Sequence, residues 1–235
     1  MVTRTILEQL RDFDTALLAN TLGYISSTPP HEFYMGGSIR SLTPELGPTV
    51  GLAFTCRIDT STPDGGNDMK LHTEQVQRMS DTQLPAIWMV QTVGSRPDHE
   101  CVIGDGMAKS LYAAGCLGVI TDGYCRDIAG CMSVPFAVHA RGTIGHHSAL
   151  RVVEVDKPVE IGGISITPSD IIHADHEGII KIPAEDAASL VTHAPRMRAF
   201  EHDAHVVLRR TDLAVAEKNE RVGKMLAEYS FSKTS

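Results

Sequence analysis

The sequence predicts a mixed α/β fold in a single domain, on three observations. Short apolar runs of strand length alternate with segments whose apolar residues recur at helical spacing. Glycine, proline and aspartate punctuate the junctions between them. The length of 235 residues suits one sizeable domain and is enough to bury a core without disulfide or metal staples.

Residues 5–23 read as one amphipathic helix, because Ile6, Leu7, Leu10, Phe13, Leu17 and Leu18 recur at helical spacing. Gly23 is its terminator, and the Ser-Ser-Thr-Pro-Pro stretch at 26–30 is loop. Residues 51–58 form a strand, 60–68 a polar connection, 69–79 a helix and 86–91 a short buried strand. A glycine-flanked Asp105 then opens a helix from about 107 to 114, closed by Gly115, and 117–122 is a buried strand. Short β runs follow at 158–161, 164–166, 171–173 and 178–182, then helices at 184–194 and 212–229. The whole of 1–235 is expected to be one domain. Its terminal helices, within 1–23 and at 212–229, are expected at the periphery or at a subunit interface.

Composition removes several function classes. The formal charge is −8, from 21 basic and 29 acidic residues, with no basic cluster, so nucleic acid is not an expected partner. No stretch approaches the ~20 apolar residues that cross a bilayer, and residues 1–8 do not resemble a signal peptide. The chain is expected to be cytoplasmic and free of membrane. Cys56, Cys101, Cys116, Cys125 and Cys131 are odd in number and contain no C-x-x-C pair, which fits buried free thiols in a reducing compartment.

Two short motifs carry candidate chemistry. In Gly104-Asp105-Gly106-Met107 the aspartate stands at the start of a helix. Aspartate is a favoured cap there, yet a helix N-terminus also presents free N–H groups, here of Gly106 and Met107, to an anionic ligand. Arg126-Asp127 follows a buried strand, where α/β folds gather ligands. The guanidinium fork matches a carboxylate, and the aspartate offers hard oxygen to a magnesium-like ion. A surface ion pair in a turn is the plainer reading of the dipeptide.

The spacing Asp105-x20-Arg126-Asp127 resembles the signature of the class II pyruvate aldolases of the RraA-like type. That family holds 4-hydroxy-4-methyl-2-oxoglutarate aldolases and related protein regulators of ribonuclease activity. Gly51-Leu-Ala-Phe-Thr, the run Leu117 to Asp127, and the segment Pro158 to Pro183 are similar to further family segments, in order. The resemblance implies a mixed β core, sandwich- or barrel-like, flanked by helices. It also implies a Mg2+- or Mn2+-dependent lyase that releases pyruvate from a 4-hydroxy-2-oxo acid, with oxaloacetate decarboxylation alongside. Asp127 would ligate the metal directly and Asp105 through water. Arg126 would bind the small-molecule 2-oxo acid near its carbonyl, and the Gly106 and Met107 amides would take its carboxylate. The family assembles as homotrimers or homohexamers, in which a C-terminal carboxylate from a neighbouring subunit, here Glu217 or Glu220, can complete the site. The alternatives are a non-catalytic regulator of a ribonuclease or helicase partner, and a lyase for another small oxo or hydroxy acid.

Other motifs rank lower. His173-Ala-Asp175-His176 reads as an exposed polar turn before it reads as a metal site, and His146-His147-Ser148 as a polar loop. Gly104-x-Gly106 lacks the third glycine of a dinucleotide fingerprint and follows no clean strand. Cys125 reads as a filler at a strand end rather than a nucleophile. The longer connection at 91–100 is expected to shape the far side of the pocket.

Overall fold

The computed structural model describes residues 2–64 and 66–231. Helices α1 (Arg4–Leu10) and α2 (Thr15–Ile25) precede β1 (Arg40–Ser41), β2 (Thr49–Asp59), α3 (Lys70–Thr82) and β3 (Ala86–Thr92). Then come β4 (Cys101–Ile103), α4 (Asp105–Ala113), β5 (Cys116–Thr121), β6 (Tyr124–Cys125), α5 (Ile128–Cys131) and β7 (Ala137–Ala140). The chain continues through β8 (Arg151–Val155), β9 (Val159–Ile161), β10 (Ile164–Ile166), β11 (Ile171–Ala174) and β12 (Ile179–Ile182) to α6 (Ala187–Leu208) and α7 (Val215–Glu228).

The main sheet runs β1-β7-β5-β3-β2-β11-β12, with β8 also paired to β2. Its centre, β2-β3-β5-β7, is parallel, while β1, β8, β11 and β12 join antiparallel. Parallel strands need long crossovers and are covered on both faces, which is why Ala86 to Val90 form an unbroken apolar run, all buried. The mixed β core flanked by helices is therefore the architecture of the chain. Trp88 and Leu111 pack with α3 and α4 in one cluster, and Leu10, Leu18, Leu22 and Met197 form a second around α1, α2 and α6. A third joins Ile87, Met89 and Ile120 of the sheet to the small β9–β10 hairpin. Buried Gln75 bridges elements: Trp88 Nε1 donates to its Oε1 at 2.9 Å, and its Nε2 donates to the Thr55 carbonyl at 2.8 Å.

Four expectations need correction. The single helix at 5–23 is two, broken around residues 11–14. The Asp14 carboxylate accepts from Leu17 N at 2.8 Å and so starts a new helix inside an uninterrupted apolar period. The helix expected at 184–194 runs from Ala187 to Leu208, through Pro195. Proline forgoes one backbone bond there, and burial of Leu190, Ala194 and Met197 outweighs that loss. His173 and Asp175 are buried rather than exposed, since β11 lies between β2 and β12; only the turn beyond them is open. Strands β7 and β8, beyond the expected set, are short and lack a long apolar period.

Candidate functional site

Strands β4 and β6 form a separate two-stranded parallel ladder beside the main sheet. The chain reaches it from β5 through Gly123, where a Cβ would lie 2.7 Å from Thr92 Cγ2. Thus a clean strand does precede Gly104, and Arg126-Asp127 follows β6 rather than the buried strand β5. Both motifs emerge from the carboxyl ends of neighbouring parallel strands, and the Arg126 amide donates to the Ile103 carbonyl at 2.9 Å.

Two glycines lace the motifs together. A Cβ on Gly104 would sit 3.3 Å from Arg126 Nε and 3.4 Å from Asp127 Oδ2, so both side chains lie against bare backbone. A Cβ on Gly130 would sit 2.6 Å from Asp105 Cβ, so the first turn of α4 rests directly on α5. Asp127 itself has φ 54°, a left-handed conformation that aspartate accepts more readily than most residues and that is common at functional sites. Arg126 Nε stands 3.6 Å from Asp127 Oδ2. Gly130→Ala is therefore expected to push Asp105 out of its place. The same variant should lose only about 1–3 kcal/mol of stability, read by a denaturant melt.

A cavity of about 280 Å3 opens here, lined by Cys101 to Met107, Arg126, His147 and Leu150. The first turn of α4 faces it; the opening bond of that helix runs from Ala108 N to Gly104 O, so earlier amides have no partner within the helix. Lys109 Nζ donates to Asp105 Oδ2 at 2.7 Å, one helical turn away. That hydrogen bond and the lysine charge, helped by the Gly106 amide, hold the Asp105 carboxyl below its ordinary value. Lys109 carried a signal in the sequence, an acid–base pair at i and i+4, that the motif search passed over.

The loop after β7 brings in two histidines. It runs along β6, with Cys125 N donating to Gly142 O and Ile144 N to Cys125 O, both at 3.0 Å. Its far side is tied by Ser148 N donating to the Thr60 carbonyl at 2.8 Å. His146 Nδ1 consequently lies 3.2 Å from Arg126 Nη1, and His147 lines the cavity. The polar loop is thus also a wall of the site.

The connection at 91–100 does not line this cavity. Buried Glu100 pins it inward, accepting from Thr60 N at 2.8 Å, Thr60 Oγ1 at 2.7 Å and Ser61 Oγ at 3.0 Å. Glu217 and Glu220 also stand apart, paired with Arg221 and Lys224 along α7 at 2.6 Å each. All five cysteines are buried and free. Burial, then the charges of Asp105 and Asp127, push the Cys131 thiol up to about 11, and burial raises Cys101 and Cys125 as well. Burial of this kind makes a thiol a poor nucleophile. A second cavity of about 300 Å3 opens at the opposite ends of β3 and β5, lined by Arg4, Gln83 and Leu117 among others, and gathers no carboxylate or imidazole.

Asp105 and Asp127 suit a hard divalent ion. Magnesium is commonly held by one or two carboxylates with water and substrate filling the other positions. Two half-exposed carboxylates beside an open cavity provide that donor set, and the described residues hold no group of three or more His, Cys, Asp or Glu arranged for a closed site.

A family model described as RraA-like, Aldolase/RraA, matches residues 30–181, which takes in β1 through most of β12 and the whole of this site. The chain belongs to the RraA-like family. A curated relative from Halalkalibacterium halodurans, named "Putative 4-hydroxy-4-methyl-2-oxoglutarate aldolase", is 32% identical over 95 residues. That alignment covers 40% of this chain and 44% of the relative, so the match spans under half the relative's length. Among solved structures, Streptomyces coelicolor RraAS2, titled an unusual member of the RNase ES inhibitor RraA protein family, superposes with TM-score 0.70 at 19% identity. It is matched over 87% of this chain and 97% of its own. An uncharacterised Pseudomonas syringae pv. tomato protein gives TM-score 0.69 at 22% identity, over 94% of this chain and 95% of its own. These likenesses show that the RraA-like fold is shared. Among the described residues, no helix of this RraA-like chain is long and apolar enough to cross a membrane.

Proposed function

We propose that this RraA-like chain is a Mg2+- or Mn2+-dependent lyase that cleaves a 4-hydroxy-2-oxo acid to pyruvate and a carbonyl product. Decarboxylation of oxaloacetate is the expected companion activity. The observation that carries the reading is convergence: Asp105, Arg126 and the open first turn of α4 line one cavity at the ends of β4 and β6, and the Asp127 carboxylate stands 3.6 Å from the same guanidinium. The named relative supports the same chemistry.

In this reading Asp127 and Asp105 would hold the ion, and Lys109 already donates to Asp105 Oδ2. The bound ion would supply Lewis acidity at the 2-oxo oxygen. The Gly106 and Met107 amides take the substrate carboxylate at the positive end of α4. Breaking C3–C4, or losing CO2, leaves an electron pair delocalised onto the enolate oxygen. Arg126, fixed by Gly104 and His146, faces that charge with a donor array needing no rearrangement. We further propose assembly as a homotrimer or homohexamer, with α7, which buries none of its own residues, at a subunit contact that brings Glu217 or Glu220 to a neighbouring site.

The deciding experiment follows pyruvate release from oxaloacetate and from 4-hydroxy-4-methyl-2-oxoglutarate, first with Mg2+ and then with excess chelator. Release from either substrate that chelator abolishes and Mg2+ restores is the expected outcome. Absence of metal-dependent release from both would overturn the lyase reading.

A further inference from the structure

We propose that His147 is the catalytic base that removes the C4 hydroxyl proton in the carbon–carbon cleavage step; this rests on the lyase reading above. Retro-aldol cleavage cannot proceed until the C4 hydroxyl loses its proton. Among the residues lining the cavity, few groups can take it. Arg126 is permanently protonated, Cys101 is a buried thiol, and the Asp105 carboxylate is already engaged by Lys109. His147 is the imidazole among the lining residues, and a neutral imidazole nitrogen is a common proton acceptor in catalysis.

The loop also fixes its tautomer. His147 Nδ1 lies 2.8 Å from the Ser148 carbonyl oxygen, which can only accept, so Nδ1 carries the hydrogen and Nε2 keeps its lone pair. The neighbouring ring is set the other way. Arg126 Nη1 can only donate, so His146 Nδ1 accepts and its lone pair is occupied at 3.2 Å. The rings lie 4.9 Å apart between centroids, one locked to the cationic fork and the other left as a free acceptor. Ile144 N and Ser148 N anchor the loop on either side, so the base is held in place before substrate arrives.

The step balances with groups on hand. His147 Nε2 takes the C4 hydroxyl proton while the C3–C4 bond breaks. The oxygen closes a carbonyl at C4, and the bonding pair moves through C3 and C2 onto the enolate oxygen. The imidazolium returns its proton to C3, which yields pyruvate and restores the neutral ring.

Decarboxylation of oxaloacetate reaches the same enolate without removing any proton, and this separates the base from the rest of the site. His147→Gln and His147→Ala, loaded with Mg2+, are to be assayed for cleavage of 4-hydroxy-4-methyl-2-oxoglutarate and for oxaloacetate decarboxylation. Binding of oxalate, an enolate mimic, checks that the site is intact. The expected result is a fall in cleavage by about 10²-fold or more relative to any fall in decarboxylation, with oxalate affinity retained. Equal losses in both reactions, lost oxalate binding, or undiminished cleavage would each overturn the assignment. A wild-type protein that decarboxylates but does not cleave also overturns it and leaves metal-dependent lyase chemistry standing. A wild-type protein with neither activity removes the lyase reading itself.

Discussion

On the proposed lyase reading, Arg126→Ala is expected to lower pyruvate release by about 10²- to 10³-fold while leaving Mn2+ affinity within about threefold of wild type. Asp127→Ala is expected to lose Mn2+ binding and turnover together. The two residues adjoin in sequence and their side chains stand 3.6 Å apart, so the contrast is a demanding one. Its physical basis is the difference between a ligand and a charge stabiliser. Asp127 offers anionic oxygen that a divalent cation needs in the ground state. In the proposed mechanism Arg126 would repel that cation and act only when charge accumulates on the enolate, so its loss would fall on the transition state. Arg126→Lys should recover little, because an ammonium replaces the fork that Gly104 and His146 hold in register. Titration with Mn2+, set beside steady-state pyruvate release, separates the two roles. Equal loss of metal in both variants would show that the roles are wrongly divided.

The site was legible in the sequence where its chemistry is local. Gly104-Asp105-Gly106-Met107 writes a helix start on four residues, and the fixed spacing to Arg126-Asp127 writes the rest. What escaped is non-local. No pattern of two or three residues marks β4 and β6 as a ladder of their own, since such short strands lack a period. His146 reaches Arg126 and His147 reaches the cavity because residues 142–144 run beside Cys125, a pairing invisible in the order of residues. Glu100 turns the 91–100 connection into a buried plug, where the sequence suggested a pocket wall. The strands β3 and β5 were clear because both faces are buried, so Ala86 to Val90 and Val119-Ile120 form apolar runs. His173 and Asp175 misled for the complementary reason: polar residues suggest solvent until partners for every donor and acceptor are in view.

Those partners make Asp175 the position where substitution should cost most stability. Asp175→Ala is expected to destabilise the fold by about 3 kcal/mol, a fall of roughly 6–12 °C in Tm. The carboxylate is buried and accepts from the amides of Thr15 and Glu177 at 2.8 Å each, tying the start of α2 to the end of β11. Removing it leaves the buried Thr15 amide without its acceptor. The Thr15 hydroxyl in turn meets His173 Nδ1 at 3.0 Å, while His173 Nε2 donates to Phe13 O at 3.1 Å and His139 Nε2 donates to the Asp175 carbonyl at 2.9 Å. Both imidazoles are thereby used as neutral rings, and burial pushes each below the ordinary histidine range despite the pull of Asp175. Protons then bind the unfolded chain first as pH falls through about 6.5, so the two histidines contribute stability above that pH and lose it below. Over the window where the unfolded rings are charged and the native ones are not, each contributes a slope of up to about 1.4 kcal/mol per pH unit. Burial alone would raise the Asp175 carboxyl, but the amide and hydroxyl donors outweigh it and the net shift is downward. Its contribution therefore survives to lower pH and disappears only below about 3.8. Urea midpoints at pH 7.5, 6.5, 5.5 and 4.5 should hold level at first and then drop. His173→Gln should start lower and fall less steeply below pH 6.5, and a wild-type midpoint unchanged to pH 4.5 would show that the buried rings accept protons without cost.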